Sequence, residues 1–142
     1  MQVRTFLLPF LCAWLCSATT AQAQMADVPN FDENGDFITA RVRGNRGTYP
    51  HRQWLVIEPD RTGLNCRNSN GDIVVTLAYG AVVDSAFHSD DAISRINGSP
   101  WLKVNANVLD VRHIVVNEAA VNYTCYVRAN NQYITPINPD TQ

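Results

Sequence analysis

Charge of one sign is scarce in this 142-residue sequence: eleven Lys and Arg face thirteen Asp and Glu, for a formal net charge of -2. So small an imbalance argues against a nucleic-acid or other polyanion partner and leaves room only for a local basic patch. No apolar run reaches the roughly 18 to 20 residues that a bilayer-spanning helix needs. Histidine is also scarce, with His51, His88 and His113 each in a different segment. There is no Gly-x-Ser-x-Gly turn, no Gly-rich phosphate loop and no nucleophile placed with a base and an orienting acid. Nothing therefore marks an enzyme or a cofactor. His88 with Asp90 and Asp91 is the best metal-like cluster, yet it lacks a second histidine and reads as a solvated acidic loop. Asp60 and Asp72 fall in expected turns, where Asp bonds its local backbone. What remains, at 46% apolar, is one small globular domain with no length for a second core.

Residues 1–23 read as an export signal. A weakly basic start, Met1 to Arg4, precedes an apolar run from Phe6 to Leu15, and Ala21-Gln22-Ala23 fits the A-x-A cleavage pattern. Neither Cys12 nor Cys16 follows the small residue that lipid attachment requires, so no stable membrane anchor is expected after cleavage. The location implied is secreted or periplasmic. Cleavage leaves two of the four cysteines, Cys66 and Cys125, in an oxidising compartment where such a pair normally closes. Closing a loop of about 60 residues contributes about 4 kcal/mol in the chain-entropy account. A catalytic or metal-binding thiol would need close His or Cys partners, which this sequence does not offer.

Residues 24–53 differ from the rest and read as an N-terminal arm. Asp32-Glu33-Asn34-Gly35-Asp36 is a turn signal, and Phe37 to Val42 alternates well enough for one short strand. The Asp-x-Asn-x-Asp spacing is not a calcium loop, because Phe37 and Arg43 stand where glycine and glutamate are needed. Arg41, Arg43, Arg46 and Arg52 form a basic cluster that reads as a solvated, flexible segment or as a docking surface.

From residue 54 to 138, short apolar runs alternate with turns, and 139–142 is a tail. Strands are expected over Trp54–Ile57, Leu64–Arg67, Ile73–Leu77, Ala81–Phe87, Trp101–Val104, Tyr123–Arg128 and Tyr133–Ile134. The breaks are Glu58-Pro59-Asp60, Asn68-Ser69-Asn70-Gly71, Gly80, Asn97-Gly98 and Asn130-Asn131. Only Asn117 to Asn122 offers a possible helix. The expectation is all-β, a small barrel or sandwich.

Three pieces of this order resemble the bacterial SH3-like domain family, in particular a form found in exported cyanobacterial proteins. Gly63-Leu64-Asn65-Cys66-Arg67 is similar to the family's opening strand. Val75, Leu77, Gly80 and Val82-Val83 resemble its central turn. Pro100 to Val104, with Cys125 to Asn130 and Tyr133-Ile134, is similar to its tryptophan strand and closing hairpin. The resemblance implies an SH3-like barrel over 54–138, with Leu64, Val75, Leu77, Val83, Leu102, Val104 and Val127 as core. A Cys66–Cys125 bond would then join neighbouring opening and closing strands. The chain departs from the family at Asn68 to Gly71, where Gly-Pro is usual, and in the long segment from Asn105 to Asn122. Both departures fall where such barrels shape a ligand groove.

Aromatic residues are the functional lead. Trp54, Tyr79, Trp101, Tyr123, Tyr126 and Tyr133 fall near strand ends, and amphipathic rings beside amides and guanidinium groups suit a peptide or sugar. The candidate binding residues are Trp101, Tyr126, Tyr133, Arg67, Arg128 and Asn130, although Trp101 and Tyr126 also fit a barrel core. The resemblance implies a non-catalytic module that recognises peptidoglycan, its peptides or another envelope component. A docking module that uses the arginine-rich arm on a protein partner is the alternative, and a small hydrolase built on His88 and Asp90 ranks last.

Overall fold

The computed structural model describes residues 28–87, 91–107 and 122–138. Among these there is no helix, and the fold is all-β. Ten strands follow in order: β1 (Arg41–Gly44), β2 (Gly47–Pro50), β3 (Gln53–Val56), β4 (Leu64–Arg67) and β5 (Ile73–Leu77), then β6 (Val82–Ser85), β7 (Ile93–Ile96), β8 (Ser99–Asn107), β9 (Asn122–Arg128) and β10 (Ile134–Pro136). β1 and β2 form a separate hairpin. The other eight make one antiparallel sheet in the order β10-β3-β6-β8-β9-β4-β5, with β7 also paired to β8. No pairing among the described residues joins β10 to β5, so the sheet does not close as a barrel.

Strand positions follow from alternation and turn chemistry. β4 and β5 occupy the expected spans, and their buried residues alternate with half-buried ones. β8 is longer than expected because each of its edges finds partners. Ser99–Leu102 pairs with β7, Val104 and Asn105 pair with β6, and the opposite edge pairs with β9 as far as Asn107 and Asn122. β7 was not foreseen. Asn97 (φ 51°) and Gly98 (φ 81°) turn it into β8 by a two-residue loop with both residues left-handed, the conformation that the twist of a tight hairpin demands. The proposed helix over 117–122 lies outside the described residues, apart from Asn122, which opens β9.

All seven residues expected in the core are buried there. Its largest member is Trp54, fully buried on β3, with its indole N–H donating to Ser85 Oγ at 2.7 Å. Phe37 and His51 meet that ring edge-on, with centroids 4.9 and 5.2 Å away. Phe37 is 1% exposed, so the N-terminal segment is built into the core. The Phe37 amide donates to Ala129 O, Asp36 bridges to Asn130, and Arg128 pairs with Asp36 at 2.7 Å. Asp32 accepts the amides of Asn34 and Asp36 through its carboxylate, which makes the acidic run a closed turn. Arg41 to Pro50 stands off as the hairpin.

Cys66 and Cys125 are disulfide-bonded with Cα atoms 5.6 Å apart, inside the range the bond permits. The bond joins β4 to β9 within the core, and both residues are fully buried. A disulfide suits an oxidising, non-cytoplasmic compartment.

Candidate binding site

Burial alternates along the three strands that carry the candidate residues. On β9, Cys125 and Val127 are buried while Tyr126 and Arg128 are half-buried. On β8, Leu102 and Val104 are buried while Trp101 and Lys103 are half-buried, and on β4, Asn65 and Arg67 flank Cys66 in the same way. Register completes the surface. Arg67 and Lys103 both pair with Tyr126, and Trp101 pairs with Arg128. Because directly opposed residues share a face of the sheet, these five side chains form two rows on the outer face.

Two adjoining recesses open on this face. The first, about 210 Å³, lies between the β4–β5 turn and the β7–β8 turn, with Trp101, Tyr126, Arg67 and Ile96 in its walls. The second, about 350 Å³, runs from Glu58 and Asp60 past Asn65 to Arg128 and Tyr133. Arg67 and Trp101 line both, so each stands at the boundary between them. One end of the surface is apolar and aromatic, and the other carries carboxylates.

Arg67 is held by the Asn68–Gly71 turn. Asn68 Oδ1 accepts the amides of Asn70 and Asp72, closing the loop, and Arg67 Nη1 donates to Gly71 O at 2.8 Å. A guanidinium has five N–H donors, so most of the Arg67 fork is left for a ligand. Arg128 differs, since its two arms bond Asp36 at 2.7 Å and Pro100 O at 2.8 Å. It forms a wall of the second recess and also ties the N-terminal segment to β9.

Five of the six candidates, Trp101, Tyr126, Tyr133, Arg67 and Arg128, line one or both recesses. Asn130 lines neither. It is 7% exposed, and its amide donates to Asn34 O and Asp36 while its carbonyl accepts the Gln132 amide. Trp54 belongs to the core, and Tyr79 is 69% exposed beside the β5–β6 turn, apart from both recesses. Glu58, Asp60 and Ile96 were not anticipated as walls, whereas the Asn68–Gly71 turn falls where a groove was expected. The turn character of Glu58 and Asp60 was visible in the sequence, but Ile96 reaches the first recess only because β7 pairs with β8.

His88 and Asp90 lie outside the described residues. Asp91 is a structural joint, accepting the Ala40 and Ile93 amides at 3.0 and 3.1 Å and the Thr39 hydroxyl. Among the described residues, no group of His, Cys, Asp and Glu is arranged to hold a metal ion. His51 is buried with its ring Nε2 against Gln53 O at 2.9 Å, and loss of hydration lowers its pKa below the usual 6.5, partly offset by that bond. No protein-family model matches the chain, and no curated protein or solved structure matches it either.

Proposed function

We propose that this chain is a non-catalytic, exported binding module that holds an extended cell-wall ligand, peptidoglycan or its peptide, across the outer face of β4, β9 and β8. The observation that carries this reading is the sharing of Arg67 and Trp101 by two adjoining recesses. A ligand crossing that boundary stacks on Trp101 and presents a carboxylate or carbonyl to the open edge of the Arg67 guanidinium. Rings bury area at low entropic cost, while the planar fork selects geometry. The expected signal over residues 1–23 and the Cys66–Cys125 bond support delivery to the periplasm or beyond.

The test is cosedimentation with purified cell walls. Retention that survives high salt and falls at least tenfold in Trp101→Ala, Tyr126→Ala and Arg67→Gln supports the groove. Retention that disappears with salt and depends only on residues 41–52 overturns it in favour of the arginine-rich segment acting on another partner.

A further inference from the structure

The β1–β2 hairpin is a second surface, separate from the groove. It pairs only with itself, and all four residues of β2 are exposed. Four arginines fall between residues 41 and 52, and no acidic residue occurs from 37 to 57. Arg41 stands opposite Pro50 and Arg43 opposite Thr48, so alternation places Arg41 and Arg43 on one face of the ribbon, while Arg52 follows just after β2 ends at Pro50. Arg41 lies over the Phe87 ring, 5.5 Å from its centroid. The side chains of Arg43, Arg46 and Arg52 are exposed and make no hydrogen bond or ion pair with any described residue. Tyr49, opposite Val42, belongs to the other face and is 44% exposed.

A two-stranded ribbon alone is marginal in water. This one is fixed at its base, where the His51 amide donates to Ala40 O at 2.8 Å and the Ala40 amide to Asp91 at 3.0 Å. The fold thus holds like charges together on a supported projection with no counter-ion among the described residues, an arrangement stabilised by an external anion. Every basic group in the ribbon is arginine, whose planar fork matches phosphate oxygens in pairs. Tyr49 adds an amphipathic ring of the kind that settles at headgroup level. A soluble polyanion would use the charge alone.

We propose that the β1–β2 hairpin docks the protein tip-first on an anionic phospholipid surface, so that Arg43, Arg46 and Tyr49 meet the headgroups from both faces of the ribbon and Arg52 adds charge at its base. A basic residue near such a surface contributes about fivefold in affinity, so the three free arginines together supply about a hundredfold. A whole-chain charge of -2 gives no general attraction to an anionic surface, so binding depends on a local basic cluster such as this one.

Cosedimentation of the exported chain, without the signal read at residues 1–23, with phosphatidylglycerol-containing and pure phosphatidylcholine vesicles tests this, with poly-glutamate resin in parallel. The expected result is binding to the anionic vesicles only, released by about 0.5 M salt. Arg43→Gln/Arg46→Gln/Arg52→Gln loses about a hundredfold, and Tyr49→Ala weakens vesicle binding without changing retention on the resin. Trp101→Ala keeps vesicle binding, which separates this surface from the groove. Absence of binding to anionic vesicles, equal binding to neutral ones or an unaffected triple variant overturns the proposal. Retention on poly-glutamate without vesicle binding also overturns it and points to an acidic protein partner.

Discussion

Arg67 and Tyr126 stand directly opposite each other on β4 and β9, each one residue beyond a cysteine of the disulfide. The covalent link inside the core therefore lies directly beneath the surface on which the proposed ligand rests. Alternation makes this arrangement unavoidable, since neighbours in a strand point to opposite faces.

Removal of the link affects stability and binding together. Cys66→Ala/Cys125→Ala loses about 4 kcal/mol in the chain-entropy account, a large share of the 5 to 15 kcal/mol typical of a domain. Urea unfolding with and without reductant measures it. A reduced wild type as stable as the oxidised protein would remove the structural role assigned to the bond.

The Trp54 indole has one hydrogen-bond partner in the core, Ser85 Oγ. Ser85→Ala leaves a buried N–H without that acceptor and costs about 1 to 3 kcal/mol. Trp54→Phe/Ser85→Ala removes both polar partners, so the two changes are non-additive in a double-mutant cycle. Additive losses in chemical denaturation would show that the bond contributes nothing.

How far the sequence could be read depended on the range of the deciding interaction. β4 and β5 were legible because local turns bound them and apolar residues alternate within them. β7 was not, since Ile93-Ser94-Arg95-Ile96 is exposed over three of four positions and is a strand only because β8 lies beside it. Phe37 follows an acidic turn and looked like part of an arm; its burial depends on Ala129, far along the chain. The same contrast divides the site. Trp101, Tyr126 and Arg67 emerge from alternation on their own strands. Asn130 lies away from the recesses because alternation stops after Arg128, where Ala129 and Asn130 are both buried.

His51 makes stability depend on pH. Its folded pKa lies below 6.5 because burial removes water from the ring, so the unfolded chain binds the proton more readily. Its contribution is complete above about pH 6.5 and declines as pH falls through that value toward the folded pKa. Denaturation midpoints measured over this window should fall with acid in the wild type and less steeply in His51→Gln. Parallel pH profiles would assign the dependence to other groups.

Gly63 and Gly98 separate two ways in which a glycine is required. Both have positive φ, at 82° and 81°. A Cβ on Gly98 would meet nothing within 4 Å, so Gly98→Ala carries only the left-handed backbone cost of about 1 to 2 kcal/mol. A Cβ on Gly63 would lie 2.6 Å from the Leu77 carbonyl oxygen, and backbone in a paired strand yields poorly. Gly63→Ala therefore costs more than Gly98→Ala, and it disturbs a wall of the second recess where β4 begins. Equilibrium unfolding of the two variants should rank them in that order. Equal losses would mean that β5 shifts freely at Leu77.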